Sequence, residues 1–116
     1  MRTKYLILRP EEPNEGGAAE LPRRPTYDQL AAIVRPLLGC EWFEHVAVLA
    51  DFAGGLAFHR ADMFVDEMGH PKNLPRNGNA TAIYRRNALL HQDVKDPETL
   101  DWIAGPAVLF ERIVWT

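Results

Sequence analysis

Hydrophobic positions between residues 27 and 38 recur every three or four residues, which is the spacing of one face of a helix. The residues that share this face are Tyr27, Leu30, Ala31, Val34 and Leu38. Thr26 precedes the pattern and Gln29 follows it by three residues, as in a capping box. Gly39 comes directly after the last apolar position and suits a C-terminal cap. The pattern therefore predicts a helix over Thr26–Gly39.

Other parts of the chain show the composition and alternation of strands. The predicted strands are Lys4–Leu8, Trp42–Ala50, Leu56–Glu67 and Ala107–Trp115. The second is almost continuously apolar, as expected of a central strand. In the third, Ala61, Met63 and Val65 fall on one face, which we expect to be the core face.

A second helix is predicted from Ala80 to Leu90, with Asn79 as its N-cap. Asp96–Pro97 is expected to open a further short helical turn. Residues 10–25 are rich in Glu, Pro and Gly and lack periodicity, so this stretch is predicted to be a mobile loop. Gly69 is expected to permit a tight turn before the second helix.

The resulting order, β-α-β-β-α-β, predicts an α+β fold with a mainly antiparallel sheet and two helices on one face. The length of 116 residues suits a single domain, 1–116. Its apolar runs are shorter than the roughly 18 residues of a membrane span, and the first one is too short for a signal peptide. With one cysteine the chain forms no internal disulfide, and we expect a cytoplasmic protein.

The net charge of -3 gives the whole molecule no attraction for nucleic acid, so nucleic acid is not an expected partner. The charges are unevenly distributed. Residues 41–59 contain three acidic side chains and no Lys or Arg, whereas residues 60–91 contain five Lys or Arg against three acids. The second stretch is the only one with a positive bias, and a solvated face is its simplest interpretation.

The candidate chemistry of catalysis and metal binding is sparse. Side chains able to bind a metal are close in sequence at His59, Asp62, Asp66, Glu67 and His70. Strand alternation places them on opposite faces, so no metal site is predicted. The chain contains no serine, and its one cysteine, Cys40, follows a helix C-terminus, where a thiolate is disfavoured. We therefore predict no catalytic residue and no cofactor.

Anion binding at the start of the second helix is the best-defined ligand hypothesis, because unpaired amides there attract negative charge. The candidate ligand-binding residues are Arg60, Arg76, Asn77, Gly78, Asn79 and Thr81. A phosphorylated metabolite or nucleotide would be the ligand, bound by a carrier or a small enzyme. The simplest alternative for Asn-Gly-Asn is a turn and a helix cap.

Protein binding is the competing hypothesis, and it requires no motif. The chain has three tryptophans, and partly exposed tryptophans are typical of interfaces. Trp115 is expected to be partly covered, whereas Trp42 and Trp102 are expected to pack in the core. A cleft lined by Arg60 and Arg76 would favour the small anionic ligand, and a flat apolar patch near Trp115 would favour a protein partner or self-association into a homo-oligomer.

Short motifs across residues 26–114 resemble a family of small uncharacterised proteins from bacteriophages, plasmids and their bacterial hosts. The shared features are an Asn/Asp-Glu-x-Gly turn, Leu-Pro-x-Asn, Ala-Thr and Ile-x-Gly, which here are Asp66–Gly69, Leu74–Asn77, Ala80–Thr81 and Ile103–Gly105. This chain departs from the family in residues 87–102 and in lacking a double glycine after the first helix. The resemblance implies an accessory protein of a mobile element, and it provides no activity to carry over to this chain. Together these features predict a small non-enzymatic binding or regulatory protein.

Overall fold

Five strands and two helices form the secondary structure of the described residues. The structure is a computed structural model, and it describes residues 1–50, 59–91, 96 and 101–115. The elements in chain order are β1 (Arg2–Leu8), β2 (Glu15–Glu20), α1 (Tyr27–Leu38), β3 (Phe43–Ala50), β4 (His59–Asp66), α2 (Gly78–His91) and β5 (Ala107–Phe110). Within this part of the chain, no helix is long and apolar enough to cross a membrane.

The strands form one sheet in the order β2-β1-β5-β4-β3, and every neighbouring pair is antiparallel. The predicted α+β class is therefore confirmed. The predicted loop at residues 10–25 is wrong in part, because Glu15–Glu20 pair along β1. Their small side chains gave no alternating hydrophobic signal, and main-chain pairing with β1 forms the strand without one.

The two helices lie on opposite faces of the sheet, so the prediction that they share one face is wrong. Helix α1 packs over Phe64, Val108 and Phe110, whereas α2 packs over Met63 and Leu109. Consecutive positions of β4 and β5 are apolar because both of their faces are buried. The predicted core face of β4 is buried, but the opposite face is buried too.

The predicted caps of α1 are present. The hydroxyl of Thr26 accepts a hydrogen bond from the Gln29 amide at 3.2 Å, and the Gln29 side chain accepts one from the Thr26 amide at 2.9 Å. Gly39 ends the helix in the left-handed conformation, with φ of 65°.

The last strand is shorter than predicted, because it ends at Phe110 and not at Trp115. Beyond it the chain turns toward β4, where the amides of Val114 and Trp115 both donate to Asp62 Oδ2 at 2.8 Å. The predicted beginning of β4 at Leu56 and the helical turn after Asp96 lie outside the described residues.

Side chains of α2 occupy main-chain acceptors of β3, which lies at one end of the sheet. Asn87 Nδ2 donates to the carbonyl oxygen of Ala47 at 2.9 Å, and Arg86 donates to that of Leu49 at 3.3 Å. Such bonds reduce the tendency of an edge strand to pair with another chain. Strand β2, at the other end of the sheet, is composed of Glu-Gly-Gly-Ala-Ala-Glu.

Candidate functional site

Asn77, at the start of α2, is fully buried and bonded on all sides. Its Nδ2 donates to the carbonyl oxygens of Leu8 at 2.8 Å and Gly105 at 3.0 Å, while its Oδ1 accepts from the Ala80 amide at 3.0 Å. Asn77 is therefore the N-cap of α2, and the predicted cap at Asn79 is wrong. Its side chain joins the helix to β1 and to the segment before β5, so it is engaged by the fold.

The other predicted residues of this helix start divide between core and solvent. Thr81 is buried, and its hydroxyl accepts from the Ile103 amide at 2.9 Å. Gly78 and Asn79 are exposed, and Asn79 has one long contact, 3.4 Å to Asn14 Oδ1. The amides of Ala80 and Thr81 already bond to Asn77. The Asn77 side chain thus occupies one of the end amides that were expected to attract an anion, that of Ala80.

Arg60 and Arg76 do not share a cleft. Arg76 forms an isolated bridge with Ala104, and its guanidinium lies over the ring of Trp102 at 5.8 Å. Arg60 is at the beginning of β4. Val65, near the end of that strand, pairs with Ala107, three residues after Ala104, which is the bridge partner of Arg76. The separation along β4 is about 16 Å. The arrangement that would favour an anion at the start of α2 is absent from the described residues.

Two tryptophans that were expected in the core are exposed at this corner, so that prediction is wrong. Trp42 is 57% exposed and Trp102 is 42% exposed. The ring of Trp102 lies 5.0 Å from the His70 ring, and His70 Nε2 is 2.6 Å from the Trp102 carbonyl oxygen. These contacts fix the indole while leaving much of it open to solvent.

Trp42 is connected to the same corner through the end of β4. Its carbonyl oxygen accepts from the Glu67 amide at 3.1 Å, and the next residue, Met68, is 40% exposed. Trp115, by contrast, is partly buried and packs against the α1-side core, as expected. Of the three tryptophans, Trp42 and Trp102 are therefore the exposed ones.

An acidic cleft lies beside Trp102, with a volume of about 210 Å³. Four carboxylate residues line it, and its apolar wall includes Val46 and Val65. Asp66 is paired with Lys72, and the other three are Glu44, Glu67 and Asp101. None of the three carboxylates forms a salt bridge with a residue that the structure describes. The volume is below the roughly 300–1,000 Å³ of small-molecule pockets, so it fits a single side chain better than a metabolite. We call Trp42, Met68, Trp102 and this cleft the acidic aromatic surface.

The signal for this surface was present in the sequence as charge, not as hydrophobicity. Residues 41–59 contain acids but no Lys or Arg, and Asp101 directly precedes Trp102. A tryptophan flanked by acids at the start of a strand or in a polar segment is poorly placed for a core. That pattern can locate the exposed indoles, although it cannot show that they meet at one corner.

Asp66, which lines this cleft, and the buried Cys40 serve the fold. Asp66 is buried, and its oxygens accept from Lys72 Nζ at 2.7 Å and from the Met68 amide at 2.9 Å. Burial raises the pKa of the Cys40 thiol, and the negative charge of Asp66 raises it further. Cys40 is also only 9% exposed.

We therefore expect Cys40 to react slowly with thiol reagents. A raised pKa leaves less thiolate at a given pH, and burial blocks access. At pH 8, its reaction with Ellman's reagent should be at least about tenfold slower in the folded protein than in guanidinium chloride. Equal rates in the two states, with the protein shown to be folded by circular dichroism, would contradict this.

Comparison with known proteins gives no relative: no family model, no curated protein and no solved structure matches this chain. The resemblance to small phage and plasmid proteins therefore stays a prediction based on short motifs. Functional inference depends on the residues and geometry of this chain.

Proposed function

We propose that this protein is a non-enzymatic binding or regulatory module that recognises a basic segment of a partner protein. The acidic aromatic surface is the proposed binding site. The observation that carries the proposal is the exposed indole of Trp102, 42% accessible, in a cleft with three carboxylates that have no salt bridge to a described residue. Trp42, 57% exposed, is joined to Glu67 of this cleft by a main-chain hydrogen bond.

The two parts of this surface suit different parts of a partner. Trp and Met are enriched where proteins bind each other, and buried Trp often contributes most to the affinity. Glu44, Glu67 and Asp101 give the cleft a negative charge, which favours a Lys or Arg side chain by electrostatic complementarity. The partner segment is therefore expected to carry a basic residue next to apolar ones.

The cellular setting belongs to the same proposal. The motif resemblance supports an accessory protein of a phage or plasmid that modulates a host system. The single, buried cysteine supports a reducing location such as the cytoplasm. A host or phage protein with a basic segment would be the partner in that setting.

Self-association is the second candidate, and strand β2 favours it. β2 is an end strand, and its Gly and Ala side chains leave the main chain accessible to another strand. At β3, the other end strand, α2 side chains already bond two carbonyl groups. A homo-oligomer would therefore form through β2, and the sedimentation mass of the purified protein distinguishes it from the first candidate.

Selection from a random peptide display library should yield sequences enriched in Lys or Arg beside Trp, Leu or Phe. A selected peptide should bind the Trp102→Ala and Glu67→Lys variants at least about tenfold more weakly, because the indole and the cleft charge are the main contacts. Isothermal titration calorimetry measures the change. The affinity should also fall with added salt, since the cleft is open to solvent.

Glu11→Lys is the matched control, because Glu11 is exposed and is not part of the acidic aromatic surface. It changes the net charge as Glu67→Lys does. If both charge reversals weaken binding equally, the attraction is general and the proposed site is wrong. Selected peptides without basic residues would also count against the proposal.

A further inference from the structure

A second, larger cleft lies along the edge strand β3, at the end of β3 and β4 that is opposite the acidic aromatic surface. It is lined by α1-side residues such as His45 and Asp62 and also by Asn87 of α2. Its volume is about 450 Å³, within the range of small-molecule sites. The lining includes Ala47 of the edge strand β3, which is exposed and is paired with Asp62. Helix α1 packs over β4 and β5 and leaves this part of β3 open.

A buried carboxylate fixes a histidine at this cleft. Asp62 is only 1% exposed, and its Oδ1 is 2.7 Å from His45 Nε2. Its Oδ2 accepts from the amides of Val114 and Trp115. Because a carboxylate accepts hydrogen bonds, His45 Nε2 carries the hydrogen, and Nδ1 has no partner among the described residues. Asp62 thus fixes the orientation of the imidazole, and the His45 side chain is 32% exposed.

Arg60 supplies an uncompensated positive charge at the same cleft. It is exposed, it lines the cleft, and it forms no salt bridge or hydrogen bond with any residue that the structure describes. Arg60 pairs with Leu49 across the sheet, so it lies about 13 Å along the strands from His45, with Ala47 between them. The Arg60 side chain is long enough to reach over Ala47 toward a ligand that also meets the fixed imidazole of His45.

Apolar side chains complete the cleft on the side of the C-terminal segment. Ile113 and Trp115 both line it, and Ile113 is 39% exposed. Trp115 is held by its main-chain bond to Asp62 and by an edge contact with Tyr27, whose ring centre is 6.0 Å away. An indole and a guanidinium that line the same cleft at separate positions suit a ligand with a flat ring at one end and an anion at the other.

We propose that this cleft binds a phosphate monoester attached to a planar ring, such as a nucleoside monophosphate. Arg60 binds the phosphate, Trp115 contacts the ring, and Asp62 positions His45 to bond the ligand between them. This site is separate from the acidic aromatic surface. It also differs from the anion site predicted at the start of α2, with which it shares Arg60 alone.

Titration with adenosine monophosphate, inorganic phosphate and adenosine tests the proposal by isothermal titration calorimetry. We expect adenosine monophosphate to bind at least about tenfold tighter than either part alone, because ring and phosphate bind together. In the Trp42→Phe/Trp102→Phe variant Trp115 is the only tryptophan. Titration of this variant with adenosine monophosphate should change the fluorescence of Trp115, and the Kd from that change should equal the calorimetric Kd.

Arg60→Ala should raise the Kd for adenosine monophosphate at least about tenfold, since it removes a charged hydrogen-bond donor. His45→Gln, which keeps a donor for Asp62 but removes the ring, should raise it about threefold or more. Arg24→Ala is the control, because Arg24 is exposed and outside the cleft.

Two results would overturn the assignment. One is an equal Kd for Arg60→Ala and Arg24→Ala, and the other is no heat from folded protein at about 10 mM adenosine monophosphate. Inorganic phosphate binding as tightly as the nucleotide would overturn the role of Trp115. Unchanged melting temperatures in the variants establish that a lost signal is not unfolding.

Discussion

Replacing Asn77 with alanine is expected to lower the free energy of unfolding by about 3 kcal/mol or more. The change removes the N-cap of α2 and leaves the carbonyl oxygens of Leu8 and Gly105 without the donor they have in the folded protein. Loss of a cap costs about 1 kcal/mol, and each buried polar group left unbonded costs about 1–3 kcal/mol. Most domains have only about 5–15 kcal/mol in total.

The neighbouring Asn79 provides the matched control. Asn79→Ala removes an exposed amide whose described contact is a long one to Asn14, so we expect a change within about 0.5 kcal/mol. Thermal unfolding followed by circular dichroism should show Asn77→Ala melting about 10 °C lower, and Asn79→Ala nearly unchanged. Equal losses for the two variants would contradict the assignment of Asn77 as the N-cap of α2.

This pair of asparagines shows how far sequence alone could locate the second helix. The Asn-Gly-Asn stretch correctly indicated a capped helix start, but either asparagine satisfies the local pattern. The choice between them is made by Leu8 and Gly105, which are 69 and 28 residues from Asn77. Thr26 raised no such ambiguity, because both bonds of its capping box are local.

The position of the helices on the sheet could not be read from strand alternation. In β4 the residues Asp62, Phe64 and Asp66 alternate with apolar ones, so one face was assigned to solvent. Asp62 and Asp66 are nevertheless buried, because main-chain amides, His45 and Lys72 bond to their oxygens. A carboxylate with several donors is stable inside a protein, and local sequence does not reveal those donors.

The predicted ligand-binding residues do not form one site, because contacts with distant segments determine where they lie. Asn77 and Thr81 bond to main-chain groups of distant segments, and Arg76 lies over Trp102. Arg60 is exposed and lies in a different cleft, at the other end of β4. Proximity in sequence grouped these side chains, whereas the long strand between residues 59 and 66 separates them.

Gly69→Ala is expected to lower the free energy of unfolding by about 2–3 kcal/mol. A methyl group at Gly69 would collide with the carbonyl oxygen of Ala104. The neighbour has little freedom to move, because Ala104 forms a bridge with Arg76 and the next amide, Gly105, donates to Pro75 at 2.8 Å. The glycine is thus needed for close main-chain approach, which differs from the turn flexibility expected from sequence.

Gly78→Ala should have the opposite effect and stabilise the protein by about 0.5–1 kcal/mol. Gly78 is the first residue of α2, its φ is not positive, and a methyl group there would meet nothing within 4 Å. Urea unfolding of both variants measures the two changes, with the same m-value expected in each. A loss of stability in Gly78→Ala would show that the start of α2 needs a backbone only glycine adopts. An unchanged free energy of unfolding in Gly69→Ala would show that the main chain near Glu67 and Trp102 can shift to accept the methyl group. The acidic aromatic surface would then not be held in one fixed shape.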